Sequence, residues 1–120
     1  AADATLTVTN VVLAGAVDRI DGVSTEDSVA NLRSIIQQAK ANNTVPVVAT
    51  LLPMSDSHEI FAGGARQLSA RIRTLADEEG ARLVDLEAEF GTGEGLMLSD
   101  GLHPNDAGCQ LIADAFRGAL

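Results

Sequence analysis

Val11-Val12-Leu13-Ala14-Gly15 ends the first apolar run of the chain, which starts at Thr5 and includes Leu6 and Val8. A run that is apolar at consecutive positions predicts a strand buried on both faces, the habit of parallel sheets covered by helices. Val45 to Leu52 repeats the signal and stops at Pro53, and Arg82-Leu83-Val84-Asp85-Leu86 reads as a third, shorter strand. Helical stripes lie between them. Ser24 to Asn42 sets Val29, Leu32, Ile35, Ile36 and Ala39 on one face, and Ser24 with Asp27 makes a capping-box-like start. Ala65 to Glu79 gathers Leu68, Ile72, Leu75 and Ala76, with Gly80 as its C-cap. After a glycine-rich loop, Gly91 to Gly95, a last helix is predicted from Asn105 to Phe116, with Leu111, Ile112, Ala115 and Phe116 inward.

The order β-α-β-α-β-α predicts a parallel sheet with right-handed crossovers and helices on its faces. The expected fold class is therefore α/β, a single domain over residues 1–120. Sites in such sheets lie beyond the carboxyl ends of the strands. Those ends are Gly15 to Asp18, Pro53 to His58 and the region after Leu86. The loop from Asp100 to His103 is expected on the same rim, so Asp18, Ser55, Asp56, Ser57, His58, Asp100 and His103 are candidates to converge there.

Composition narrows the function classes. Seventeen acidic against 8 basic residues give a net charge of −9, which opposes binding to phosphate backbones, so no nucleic-acid partner is expected. Phe61, Phe90 and Phe116 are the aromatic residues besides histidine, which leaves little to stack on bases or sugar rings. Cys109 is the one cysteine, so there is no intrachain disulfide or thiolate metal cluster, and it reads as a small core residue of the last helix. No apolar run approaches membrane-spanning length, and no basic segment precedes an apolar signal-like core. Nothing here assigns a compartment, and no cofactor is expected.

The chemistry is concentrated in Asp100-Gly101-Leu102-His103-Pro104-Asn105-Asp106-Ala107-Gly108. An acid three residues before a histidine can reach back to the imidazole, fix its tautomer and stabilise the imidazolium, and Pro-Asn then starts a helix. This block resembles the C-terminal signature of the SGNH (GDSL-type) esterase and lipase family. Val11 to Asp18 is similar to the strand and Gly-x-Asn-Asp block of that family, while Val45 to Pro53 and Leu83 to Leu86 are similar to its next two strands. The resemblance implies a flavodoxin-like (SGNH hydrolase-like) three-layer α/β/α fold with a shortened parallel sheet, and hydrolysis of small acyl or acetyl esters. It assigns Asp100 and His103 to a triad completed by the serine of a Gly-Asp-Ser block, and Gly15, Val17 and Asp18 to substrate binding. It also implies an oxyanion hole made by the serine N–H, a glycine N–H and an asparagine side chain. The sequence departs from the pattern in two ways. Gly-Asp-Ser occurs nowhere in it, the serine and glycine blocks being expected ahead of residue 1. The asparagine position is held by Val17, which has no side-chain donor.

Ser55 and Ser57 are the substitute nucleophiles this reading offers, since a hydroxyl within reach of His103 would restore a nucleophile–base pair; the competing reading is a polar loop. A metal-assisted hydrolase on the same rim is a third reading, since Asp18, Asp56, His58, Asp100 and His103 are ligand types. They follow no recognised metal spacing, and no metal is expected. The alternative to an ester hydrolase is a catalytically incomplete module that assembles with another chain. Without the serine-bearing strand, Val11 to Ala14 becomes an open apolar edge. It is expected to pair with a second copy, giving a homo-oligomer, or with a complementing fragment.

Overall fold

Three strands form a parallel sheet in chain order: β1 (Val8–Val12), β2 (Thr44–Ala49) and β3 (Arg82–Val84). The computed structural model describes residues 8–12 and 24–119. In the central strand β2, Val47 lies opposite Val11 and Val48 opposite both Val12 and Leu83. Just past β2, Thr50 N–H donates to the Val84 carbonyl. Because backbone donors alternate sides along a strand, Pro46 turns its donor-less nitrogen toward β3. Pairing with β3 begins only at Val47, so the proline breaks no ladder bond.

Both faces of β2 are covered. Val48 faces α1 (Thr25–Ala41) and α2 (Ala62–Glu79), in a core that includes Val29, Leu32, Ile36, Leu68, Ile72 and Leu75. Val47 and Ala49 face the other way, with Val84 and Leu86, against Ile112, Ala115, Phe116 and Ala119 of the last helix, α4 (Asp106–Ala119). Two helices, a sheet and a third helix make the three layers. Full burial of each large apolar side chain contributes about 1.5–3 kcal/mol relative to exposure, so the consecutive apolar run of β2 is what two covered faces require.

The helix ends follow their caps. Ser24 Oγ accepts from Asp27 N–H at 3.1 Å, and Gly80, at φ +69°, closes α2 in the left-handed conformation. Several expectations are corrected. Ile35 is 38% exposed and lies off the buried stripe of α1, which is completed by Ser28. α2 begins three residues early because Ala62 is itself buried. β3 ends at Val84, since Asp85 leaves the strand to cap a short helix, α3 (Leu86–Phe90), with its carboxylate accepting from Ala88 N–H. Asp56 and Ser57, for which a polar loop is the competing reading, enter a 3-10 turn, Asp56–Phe61. Cys109 is exposed, not a core residue, and Leu111 is half-buried outside the packed cluster.

Candidate active site

The loop before α4 is fixed at both ends. Asn105 caps α4, its Oδ1 accepting from Gly108 N–H at 2.9 Å and its Nδ2 donating to the Gly95 carbonyl at 3.0 Å. Asn105 N–H reaches the Leu96 carbonyl, and Leu98 N–H reaches that of His103, so the chain folds back on itself around residues 98–103. Leu102 packs against the main core. The two residues flanking the Gly101–Leu102 step, Asp100 and His103, are left at the surface.

Asp100 Oδ2 lies 2.6 Å from His103 Nδ1. Its Oδ1 accepts from the N–H groups of Leu102 at 2.9 Å and His103 at 3.0 Å. The ring hydrogen bond first, and then the two backbone donors, hold the Asp100 carboxyl far below the usual carboxylate range. An ionised carboxylate only accepts, so Nδ1 of His103 carries the proton and the neutral ring keeps its lone pair on Nε2. Nε2 has no partner among the described residues, and the His103 side chain is 65% exposed. The ring is thus held in one tautomer with Nε2 facing solvent.

The 3-10 turn is stitched to the backbone of the same loop. Ser55 N–H donates to the Gly101 carbonyl at 2.9 Å. The Asp100 carbonyl receives two side chains of the turn: His58 Nδ1 at 2.7 Å and Ser57 Oγ at 3.0 Å. A carbonyl oxygen only accepts, so His58 too carries its proton on Nδ1. The sequence places His58 on this rim but carries no local signal for its partner, which is a backbone atom 42 positions away.

Of the residues expected on the rim, Ser55, Ser57, His58, Asp100 and His103 come together. Ser55 Oγ donates to Asp56 Oδ2 at 3.2 Å, and Ser57 Oγ is engaged with the Asp100 carbonyl; neither hydrogen-bonds the His103 ring. Asp56 is exposed, and its carboxylate accepts from Ser55. Gly15, Val17 and Asp18, with Leu13 and Ala14 of the edge segment, lie outside the described residues. Among the described residues no three His, Cys, Asp or Glu side chains gather as a metal site. No helix among them is long and apolar enough to cross a membrane. A cavity of about 200 Å³ beyond β2 is lined by Leu52, Pro53, Met54, Ala62, Ala65 and Arg66 among others, and is separate from the Asp100–His103 pair.

Together these features define a three-layer α/β protein with an acid–imidazole couple on a loop leading into its last helix. The profile of the GDSL-like Lipase/Acylhydrolase family matches residues 4–111, and the chain belongs to that family. Solved structures of similar fold include a GDSL-like lipase from Bacteroides thetaiotaomicron, 21% identical with a TM-score of 0.81, the match covering 91% of this chain and 60% of that one. Another is an acetylxylan esterase from Geobacillus stearothermophilus, 19% identical with a TM-score of 0.79, covering 93% and 58%. A lipolytic protein of the G-D-S-L family from Veillonella parvula is 14% identical with a TM-score of 0.81, covering 97% and 67%. The chain thus spans about three-fifths of the first two. At these identities the likeness establishes the fold. A comparison with curated proteins finds no match.

Proposed function

We propose that this chain carries the acid–base machinery of an ester hydrolase acting on small acyl or acetyl esters. The observation that carries the reading is the 2.6 Å contact between Asp100 and His103 with Nε2 left open. The acetylxylan esterases among the similar structures support an acetyl ester as substrate. In the reaction, a hydroxyl oxygen attacks the ester carbonyl carbon while His103 Nε2 takes its proton, and Asp100 stabilises the imidazolium. The imidazolium then protonates the departing alkoxide as the C–O bond breaks. Water hydrolyses the acyl-enzyme by the same exchange of a proton with Nε2. Ser55 and Ser57 are the hydroxyls the 3-10 turn offers as nucleophile, and either must rotate from its present partner to reach Nε2.

The test is release of p-nitrophenol from p-nitrophenyl acetate by the purified chain and by His103→Ala. The expected result is a fall of about 10²-fold or more, the usual contribution of a positioned base. Equal rates, both at the buffer level, overturn the reading. Where His103→Ala collapses the rate, Ser55→Ala and Ser57→Ala identify the nucleophile.

A second reading, in which the chain completes its site with another chain, is favoured by one observation: among the described residues β1 pairs only with β2.

A further inference from the structure

We propose that His58 is a positioning residue for the acid–base pair, holding the Asp100 backbone so that its carboxylate keeps His103 in the Nδ1–H tautomer. The inference rests on the ester hydrolase reading for its catalytic meaning, while its geometry stands apart from that reading.

The carboxylate of Asp100 is well fixed relative to its own loop, because its other bonds go to Leu102 and His103 a few residues on. Such local bonds orient the pair internally and do nothing to place it on the molecule. Placement comes from Leu102, which enters the core, from the Ser55 N–H on the Gly101 carbonyl, and from the side-chain donors on the carbonyl of Asp100. That carbonyl belongs to the same residue as the carboxylate on the His103 ring, and it accepts from His58 Nδ1 at 2.7 Å. The His58 ring is in turn backed by Phe61, the centroids 6.3 Å apart and the planes tilted by 38°. Phe61 packs against the main core. A continuous path therefore runs from core to Phe61, to the His58 ring, to the Asp100 carbonyl, to the Asp100 carboxylate and to the His103 ring. Each contact in it has a defined direction.

Ser57 donates to the same carbonyl and also lies 3.2 Å from His58 Nδ1, so it accepts a share of the ring N–H while giving its own proton to the carbonyl. The ring and the hydroxyl converge on one acceptor and restrict its lateral movement. Histidine suits the position because the proton on one ring nitrogen is set by the hydrogen bond it makes, and here that bond requires Nδ1–H.

The test uses three variants of the full chain. His58→Ala removes the donor. His58→Asn keeps an N–H donor at the position of Nδ1. His58→Gln has the same donor group one carbon further out. Ser57 is left intact because it is a nucleophile candidate. The protein has two histidines, so the His58 variants assign the His103 ring signals directly. Long-range ¹H–¹⁵N spectra then report its tautomer without any need for activity. The expected result is that His58→Ala and His58→Gln mix the Nε2–H form into His103 and lower kcat for p-nitrophenyl acetate about 10-fold, a part of the roughly 10²–10⁴-fold that a positioned base supplies. KM stays near its original value, and His58→Asn restores both. His103 signals identical to the parent in all three variants overturn the inference, as does failure of His58→Asn to differ from His58→Gln. Should the parent chain hydrolyse nothing, the ester hydrolase reading fails while the ring spectra still decide the role of His58.

Discussion

Gly101 is the residue at which the two halves of the site touch. Its φ is +67°, and a Cβ there would run into the carbonyl of Ser55, whose own N–H bonds back to the Gly101 carbonyl. Gly101→Ala is therefore expected to lose more than the 1–2 kcal/mol or so that an L-residue gives up in the left-handed region, because Ser55 must also retreat. Gly95→Ala is the control: φ is +79° there with open space around it, so the backbone cost acts alone. Urea unfolding of the two variants checks this, and equal losses would mean the contact with Ser55 is slack. At this scale the acid–base pair was legible in the sequence because both members sit on one loop three positions apart. His58 was not, since a backbone carbonyl carries no sequence identity to read. Cys109 was misread for a related reason. Ile112, Ala115, Phe116 and Ala119 pack on the sheet, but the first turn of α4 instead presses Gly108 against the Leu96 carbonyl and leaves Cys109 to solvent.

Among the elements, the join between β2, β3, α2 and α3 depends on Asp85. Its carboxylate accepts from Arg73 Nε at 2.8 Å and Nη2 at 2.9 Å, from Thr50 Oγ1 at 2.9 Å, and from Ala88 N–H at 3.2 Å. Arg73 also reaches Glu87 at 2.7 Å. The Arg73 guanidinium, ahead of the other donors, lowers the Asp85 carboxyl from its ordinary value to about 2, against a desolvation that works the other way. A carboxyl depressed on folding adds stability that is complete above its unfolded pKa, near 4, and is lost as pH falls toward the folded value. Asp85→Asn is accordingly expected to cost about 1–2 kcal/mol near pH 6, after allowance for the partial exposure of the pair. The gap between variant and parent should narrow as pH falls from about 5 to about 3. Denaturant melts at both pH values check it, and a gap that stays constant would show that charge is not what Asp85 contributes. Element order and the faces of α1 and α2 were legible because their apolar spacing spans several turns. The 3-10 turn and α3 were not. Six and five residues are too few for a helical period to emerge, and Asp85 ends one element by capping the next.

At the scale of the whole molecule, association turns on the side of β1 away from β2. Val8–Val12 pairs with β2 along one edge, and no described strand lies on the other. An apolar edge of this kind recruits another strand, yet each chain carries a net charge of −9, and two copies repel. Salt screens that repulsion over roughly 10 Å at 0.1 M, so association through β1 is expected to strengthen from low to moderate ionic strength, the reverse of a contact held by ion pairs. Sedimentation of the purified chain across a range of concentration and salt checks this against the 12.4 kDa monomer. A monomer under every condition would rule out self-pairing. If a dimer forms, slowed hydrogen exchange at the amides of 8–12 locates its interface. Activity then separates the two modes of pairing. An antiparallel second copy across a two-fold sends the two Asp100–His103 loops to opposite ends, so hydrolysis per chain should be the same in monomer and dimer. A complementing chain that brings a serine to His103 should instead raise the rate per chain in step with its binding.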